Sequence, residues 1–208
     1  MADFNLSLPS SPRRLVLAST SKYRQQLLRR LAVPFEACDP GVDEDAFKGA
    51  GLPPDRLVLT LAQAKAQACL ARFSDAVVIG GDQCAEVDGA MLGKPGTIEA
   101  CVDQLMLLSG RTHRLLTAVC VIDGATGSVQ THLDEHRLTM RKLTAQQARF
   151  YAEHDRALDC AGGYKIESLG VALFTQVDGH DATAIMGLPL IRVSEMLRSA
   201  GIDVLGHG

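Results

Sequence analysis

Hydrophobic residues in this chain form two short uninterrupted runs and several longer stretches with helical or alternating spacing. The runs at Leu15–Ala18 and at 76–80 are typical of buried strands. The segments at 115–122 and Val129–Met140, joined by the turn Asp-Gly-Ala-Thr-Gly, predict a long hairpin that extends the same sheet. Asp88-Gly89 predicts a second, tighter hairpin turn.

Helical spacing of apolar residues predicts five helices, at 23–31, 55–73, 97–108, 144–153 and 188–200. Ser19-Thr20-Ser21 precedes the first of them, so a serine is the expected N-cap. The segment 39–54 holds four acidic residues together with glycine and proline, and it is predicted to be a loop. The irregular alternation of strands and helices indicates an α/β fold, with a mixed β-sheet flanked by helices and a central cleft.

Composition adds limits to this picture. With 208 residues, 47% hydrophobic and 22% charged, the chain suits a single globular domain at 13–208 after a flexible tail at 1–12. A net charge of −3 gives no reason to expect a nucleic-acid or membrane partner, and no apolar run has the length of a membrane span. The six cysteines form no C-x-x-C pair and suit a reducing compartment, so we expect a cytoplasmic protein without a signal peptide.

The first group of candidate functional residues lies where the first strand meets the first helix. Ser19, Ser21, Lys22 and Arg24 provide hydroxyls and cations beside the free N–H groups of a helix start, a combination that suits phosphate. The alternative is an ordinary capped helix with surface cations. The segment lacks the glycines of a P-loop or a dinucleotide-binding turn, so neither of those sites is expected.

The second candidate is Lys65, which lies near the middle of an apolar helix face. At about 100° per residue, Val58, Leu61 and Cys69 fall within roughly 40° of it. A lysine in this position either extends its ammonium group out to solvent or meets an anion, because an unpaired buried ammonium is costly.

The third group contains carboxylates and one further lysine. Asp82 is predicted to follow the second buried strand, where it would bind Mg²⁺, accept a proton from water, or simply cap a turn. Lys94 either returns to the same cleft or lies on the surface, and the acids Asp43, Glu44 and Asp45 either supply a metal ligand or are solvated. Because no G-x-S-x-G motif is present, hydrolysis by an activated water is favoured over a covalent nucleophile.

Seven segments, in order from about Leu15 to Leu197, resemble the Maf family of nucleotide pyrophosphatases. They are LVLASTSKYRQQLLRRLAVPFE, VDED, LAQAKAQA, VVIGGDQCAEVDGAMLGKP, LSGRTHRLLTAV, DCAGGYKIESLG and MGLPLIRVSEML. The departures from the family pattern are small. Lys22 replaces the usual proline, and Gly81-Asp82-Gln83 replaces the commoner alanine-aspartate-threonine.

The resemblance implies an inosine-triphosphatase-like α/β fold, a homodimer, and hydrolysis of a nucleoside triphosphate to the monophosphate and pyrophosphate with Mg²⁺ or Mn²⁺. It also implies roles for individual residues: Ser19, Ser21 and Arg24 contact phosphate, Glu44 and Asp82 serve the metal and the water, and Lys65 and Lys94 serve the triphosphate. Because Asp43 and Glu44 are adjacent, the choice between them stays open.

Base choice is expected to depend on Tyr23, Gln83 and Glu167, which resemble the branch of the family that hydrolyses 7-methyl-GTP. The pyrimidine branch tends to have arginine, threonine and glutamine at these places. A cationic 7-methylguanine suits stacking on tyrosine and pairing with a glutamate. One alternative is a pyrophosphatase for dTTP and UTP or for non-standard purine triphosphates. Another is a nucleotide-binding regulator of septum formation without turnover, and a third is that these three residues have no role in base choice.

Overall fold

A computed structural model describes residues 13–206, so the tail predicted at 1–12 and the last two residues lie outside the described part. Its strands are β1 Leu15–Ala18, β2 Glu36–Ala37, β3 Val77–Val87, β4 Ala90–Leu92, β5 Thr112–Asp123, β6 Val129–Met140 and β7 Phe174–Asp178. Its α-helices are α1 Lys22–Arg29, α2 Glu44–Lys48, α3 Pro54–Leu70, α4 Ile98–Leu108, α5 Ala145–Asp155 and α6 Leu190–Ser199. Short 3-10 helices lie at Ala161–Gly163, Leu169–Leu173 and Ala184–Met186.

The strands form one mixed sheet in the order β2-β1-β3-β5-β6-β7, with β4 paired to β3. β1 runs parallel to β2 and β3, and the other pairs are antiparallel. At the predicted β3–β4 turn, Asp88 and Gly89 have φ of 50° and 82°, the two positive values that a type I′ hairpin requires. The predicted α/β fold with a mixed sheet flanked by helices is confirmed.

Helices cover both faces of the sheet because its central strands are apolar on both sides. Leu15 and Leu17 of β1 pack with α1 and α6, whereas Val16 and Ala18 face α3. α4 and α5 cover the far ends of β3, β5 and β6. None of the helices within 13–206 has the length and hydropathy to cross a membrane.

The prediction that the second strand ends at Gly80-Gly81 was wrong, because β3 continues to Val87 and pairs with β5 along its length. Gly80 does not form a turn here; its missing side chain allows α3 to approach β3 closely. A Cβ on Gly80 would lie 2.1 Å from the carbonyl oxygen of Ala62 and 2.7 Å from the backbone nitrogen of Ala66. Asp82 therefore lies within a strand and not after one, and α3 packs directly on the backbone beside it.

The prediction of a loop at 39–54 was also wrong in part, because this segment contains the helix α2. The side chain of Asp43 caps this helix by accepting from the N–H groups of Asp45 and Ala46 at 3.1 and 3.3 Å. Glu44 and Asp45 then fall in the first turn and Lys48 in the last, an arrangement that the helix dipole favours. The acidic run is therefore the capped start of a helix.

One edge of β3 is open in its middle. β1 pairs with β3 only as far as Gly80, and β4 pairs with it only from Ala85 onwards. Between them, residues 81–84 have no strand partner on that side, and α1 starts just after the end of β1. A cleft results at the carboxyl end of a parallel strand pair, which is a common place for ligand sites in α/β sheets.

Candidate active site

A cavity of about 860 Å³ occupies this opening, a volume within the usual range of small-molecule sites. Its walls come from the start of α1, from α2 and α3, from the middle of β3, and from the loops after β4 and α5. All the residues to which the family resemblance gives a role line it: Ser19, Ser21, Tyr23, Arg24, Glu44, Lys65, Asp82, Gln83, Lys94 and Glu167. Of the other candidates, Lys22 also lines the cavity, whereas Asp43 and Asp45 do not.

An ion triad lies on the floor of the cavity. The Nζ of Lys65 is 2.6 Å from Oε1 of Glu44 and 2.7 Å from Oδ1 of Asp82, and the lysine side chain is only 8% exposed. Of the two alternatives for Lys65, contact with an anion is therefore the one observed. Burial raises the pKa of Glu44, but the hydrogen bond from Lys65 and the nearby lysine charges outweigh it and hold the pKa below its ordinary value.

The two adjacent acids at the start of α2 have different surroundings. Asp43 is exposed and its carboxylate is engaged in the helix cap. Glu44 is half-buried, lines the cavity and contacts Lys65. Only Glu44 is thus positioned to act on a molecule in the cavity.

The carboxylates of Glu44 and Asp82 fit a divalent cation. Both contact the ammonium nitrogen of Lys65, so the two carboxylates lie close together and already face one positive charge. Mg²⁺ and similar ions prefer oxygen ligands, and Mg²⁺ is often held by one or two carboxylates completed by phosphate oxygens and water. Within 13–206 no cluster of three or more His, Cys, Asp or Glu residues forms.

Ser21 caps the start of α1 as predicted, and the side chain of Arg24 in the first turn contacts Gly187. Ser19 Oγ accepts from the N–H of Ser21 at 3.1 Å, and Ser21 Oγ accepts from the N–H of Arg24 at 3.4 Å. Arg24 Nε donates to the carbonyl oxygen of Gly187 at 2.9 Å. Burial lowers the pKa of Arg24 while the charges of Asp82 and Glu44 oppose that change, and an arginine keeps its charge at neutral pH.

Gln83 follows Asp82 in β3, and hydrogen bonds fix its side-chain amide. Its Nε2 donates to Thr117 Oγ1 and to the carbonyl oxygens of Ala184 and Ile185, at 2.9, 3.0 and 3.1 Å. Thr117 Oγ1 itself donates to the Ala184 carbonyl oxygen, so all three neighbours accept from Gln83. This orients the amide and leaves its Oε1 as an acceptor without a partner among residues 13–206.

Tyr23 and Glu167 approach the same part of the cavity from separate segments. Tyr23 is half-buried and its hydroxyl donates to Oδ1 of Asp159 at 3.1 Å, so its ring is held by a distant loop and not only by the next turn of α1. Glu167 is exposed, and in the described part of the chain its carboxylate has no hydrogen bond or ion pair. It is therefore available to a ligand.

A family model described as "Maf-like protein" matches residues 14–200. This chain belongs to the Maf family. Relatives named 7-methyl-GTP pyrophosphatase include one from Albidiferax ferrireducens, 45% identical over 93% of this chain and 96% of that protein. Others, from Bdellovibrio bacteriovorus and Pseudomonas aeruginosa, are 45% and 42% identical over 91% of this chain and 98% of each protein.

Among solved structures, a HAM1 protein from Coxiella burnetii overlaps 77% of this chain and 98% of its own, with 14% identity and a TM-score of 0.42. That likeness is too low to carry an argument about the site.

Three further residues of this Maf protein line the cavity although the sequence did not single them out: Lys48, Asp159 and Lys165. Lys48 lies four residues after Glu44, on the same face of α2, so a correct prediction of that helix would have indicated it. Asp159 and Lys165 stand in the segment DCAGGYKIESLG, but no local pattern shows that they meet Tyr23.

Proposed function

We propose that this Maf protein is a nucleotide pyrophosphatase that hydrolyses 7-methyl-GTP to 7-methyl-GMP and pyrophosphate. The buried Lys65 bridging Glu44 and Asp82, in a cavity large enough for a nucleotide, is the observation that carries the proposal. Relatives that bear this name and are 42% to 45% identical over more than nine-tenths of the chain support the substrate.

Arg24, Glu44, Lys65, Asp82 and Lys94 form what we call the phosphate end of the cavity. Lys65, Lys94 and Arg24 would neutralise the triphosphate, and the N–H groups at the start of α1 would bind its oxygens with Ser19 and Ser21. These contacts hold the α-phosphorus near Asp82. They also leave the β- and γ-phosphates together as the leaving group.

Asp82 is assigned as the base that accepts a proton from the attacking water. The water oxygen forms a bond to the α-phosphorus, the bond from that phosphorus to the α–β bridging oxygen breaks, and pyrophosphate departs with the electron pair. Oδ1 of Asp82 is engaged with Lys65, whereas Oδ2 has no hydrogen-bond partner among the described residues. Oδ2 is therefore the oxygen free to take the proton.

Glu44 and Asp82 would hold Mg²⁺ or Mn²⁺. When bound, the ion draws charge from the phosphate oxygens and lowers the barrier to attack. EDTA is expected to stop the reaction and added Mg²⁺ or Mn²⁺ to restore it, with pyrophosphate as the first product. Release of orthophosphate as the first product would place the attack on the γ-phosphorus and contradict the proposal.

Tyr23, Gln83 and Glu167 form what we call the base end. Methylation at N7 makes guanine cationic, which favours stacking on the Tyr23 ring. The Glu167 carboxylate would accept from the guanine N1–H and exocyclic amine, and Gln83 Oε1 would accept the second amine hydrogen. The carboxylate charge also favours the cationic base over neutral guanine.

The substrate test is a comparison of kcat/KM across nucleotides. We expect 7-methyl-GTP to be cleaved at least about tenfold more efficiently than GTP, UTP or dTTP, a difference of about 1.4 kcal/mol. A preference for dTTP or UTP would contradict the proposed 7-methyl-GTP substrate, but the protein would still be a nucleotide pyrophosphatase. Release of pyrophosphate from none of them would favour a nucleotide-binding regulator of septum formation.

We further propose that residues 13–208 form one domain, that the protein is a homodimer, and that it acts in the cytoplasm. The six cysteines are free and five are buried, which suits a reducing compartment. Light scattering on the purified chain tests the dimer, and a monomeric mass would contradict it. Limited proteolysis tests the domain bounds.

A further inference from the structure

Asp159, in the loop after α5, uses its two oxygens to contact Tyr23 of the base end and the adjacent Lys22. Oδ1 accepts the hydrogen bond from the Tyr23 hydroxyl at 3.1 Å, and Oδ2 lies 3.4 Å from Nζ of Lys22. Tyr23 and Asp159 are 136 positions apart in the chain. The contact thus joins two segments at the mouth of the cavity.

Two ammonium groups lie near the Tyr23 ring. The Nζ atoms of Lys22 and Lys165 are 5.0 and 5.7 Å from its centroid. Lys165 donates to the carbonyl oxygen of Asp155 at 3.0 Å, whereas Asp159 is the anionic partner of Lys22 in the described structure. Without Asp159, the Lys22 charge would repel a cationic base stacked on the ring.

The protonation states agree with these contacts. Burial raises the pKa of Asp159, but the hydrogen bond from Tyr23 and the charge of Lys22 outweigh it, so the pKa stays below its ordinary value. Burial and the neighbouring Cys160 and Asp159 raise the pKa of Tyr23, so the phenol keeps its proton and remains the donor.

We infer that Asp159 is a positioning residue for base selection, which fixes the Tyr23 ring through its hydroxyl and neutralises Lys22 beside it. The inference rests on the proposed preference for 7-methyl-GTP. It adds to Tyr23, Gln83 and Glu167 a residue that acts on the base through Tyr23 and not by touching it.

The contribution of Asp159 to base selection depends on the charge of the base, because only one of its two effects on the Tyr23 ring also helps a neutral base. A phenol hydrogen-bonded to a carboxylate has a more electron-rich ring, which attracts a cation more strongly. A ring held in place also loses less freedom when a base stacks on it. GTP has a neutral guanine, so it gains from the second effect alone.

The test measures kcat/KM for 7-methyl-GTP and GTP, and the Kd of 7-methyl-GMP and GMP by calorimetry, on the full chain. Asp159→Asn is expected to lower the ratio of the two kcat/KM values roughly three- to fivefold, mainly through KM. Adding Lys22→Met to Asp159→Asn should return the ratio toward that of the wild type. Tyr23→Phe, which removes the same hydrogen bond from the other side, should lower the ratio.

Asp39→Asn is the matched control. Asp39 lines the same cavity from the loop before α2 and contacts neither Tyr23 nor Lys22, so its loss should leave the ratio unchanged. A wild-type preference that persists in both Asp159→Asn and Tyr23→Phe overturns the inference and leaves the proposed function standing. A wild-type chain with no preference for 7-methyl-GTP overturns both.

Discussion

The phosphate end and the base end of one cavity are held in different ways. At the phosphate end, Lys65 and Asp82 are buried on α3 and β3, and Glu44 approaches them from α2. The Nζ of Lys65 lies 2.6 Å from Glu44 and 2.7 Å from Asp82. At the base end, Glu167 is exposed on a loop, and Tyr23 is tied to an exposed loop aspartate. The buried charges of the phosphate end are thus built on regular elements, while the base end also depends on the exposed loop residues Glu167 and Asp159.

The difference has an energetic cause. Buried charges are costly unless each is paired, so the phosphate end cannot lose one member without disturbing the others. Exposed charges are screened by water, and each contributes little alone. Substitutions at the phosphate end should therefore cause large, coupled losses, and those at the base end small changes in preference.

Asp82→Asn is expected to have the largest effect. The substitution keeps the shape of the side chain and leaves Lys65 paired with Glu44, so the fold should persist, but kcat should fall about 10²- to 10³-fold. Steady-state kinetics with 7-methyl-GTP and a melting curve measure the two quantities. A variant that kept more than roughly a tenth of wild-type activity would show that Asp82 is not the essential base.

Lys65→Met should reduce stability as well as turnover. Removing the ammonium leaves two carboxylates facing each other near the cavity floor, and we expect a loss on the order of 2–3 kcal/mol in the free energy of unfolding. Urea denaturation measures it. The double variant Lys65→Met/Asp82→Asn should recover part of the loss, and equal stability of the single variant and wild type would mean that the pairing gives no net stabilisation.

Glu44→Gln and Asp43→Asn form a matched pair at adjacent positions. Glu44→Gln removes the charge that contacts Lys65 and should lower kcat/KM by more than about tenfold. Asp43→Asn should keep wild-type activity, because asparagine caps a helix about as well as aspartate. The reverse result would assign the metal-side acid to Asp43.

Glu167→Gln should have a smaller effect than the losses expected from Asp82→Asn, Lys65→Met and Glu44→Gln at the phosphate end. The amide keeps one acceptor for the base and loses the charge, so the preference for 7-methyl-GTP over GTP should fall by roughly fivefold, with hydrolysis of UTP little changed. A parallel loss with all three nucleotides would place Glu167 in catalysis and remove the distinction between the two ends.

Most of the fold followed from local patterns. The apolar run of β1, the β5–β6 hairpin and the long helices each carry their own periodicity over enough residues to be recognised. α2 has only five residues, too few for a period, and its existence depends on the Asp43 cap. β3 continues through Gly80 because it pairs there with β5, a contact between distant segments that no local sequence pattern contains.

The candidate site likewise includes features that the sequence could predict and features that it could not. The position of Lys65 on an apolar face already required either solvent or an anion, and the anion is what the structure provides. The choice of Glu44 over Asp43 needed the orientation of a short helix. Asp159 meets Tyr23 across 136 positions, so only the folded chain reveals their contact.

The missing side chain at Gly80 sets the spacing between Lys65 and Asp82. Because backbone touches backbone there, no rotamer change or exchange of a core side chain can widen the gap between α3 and β3. Adding a single methyl group at Gly80 would push the helix away and separate the ion pair, and turnover would fall although no residue that meets the nucleotide had been replaced.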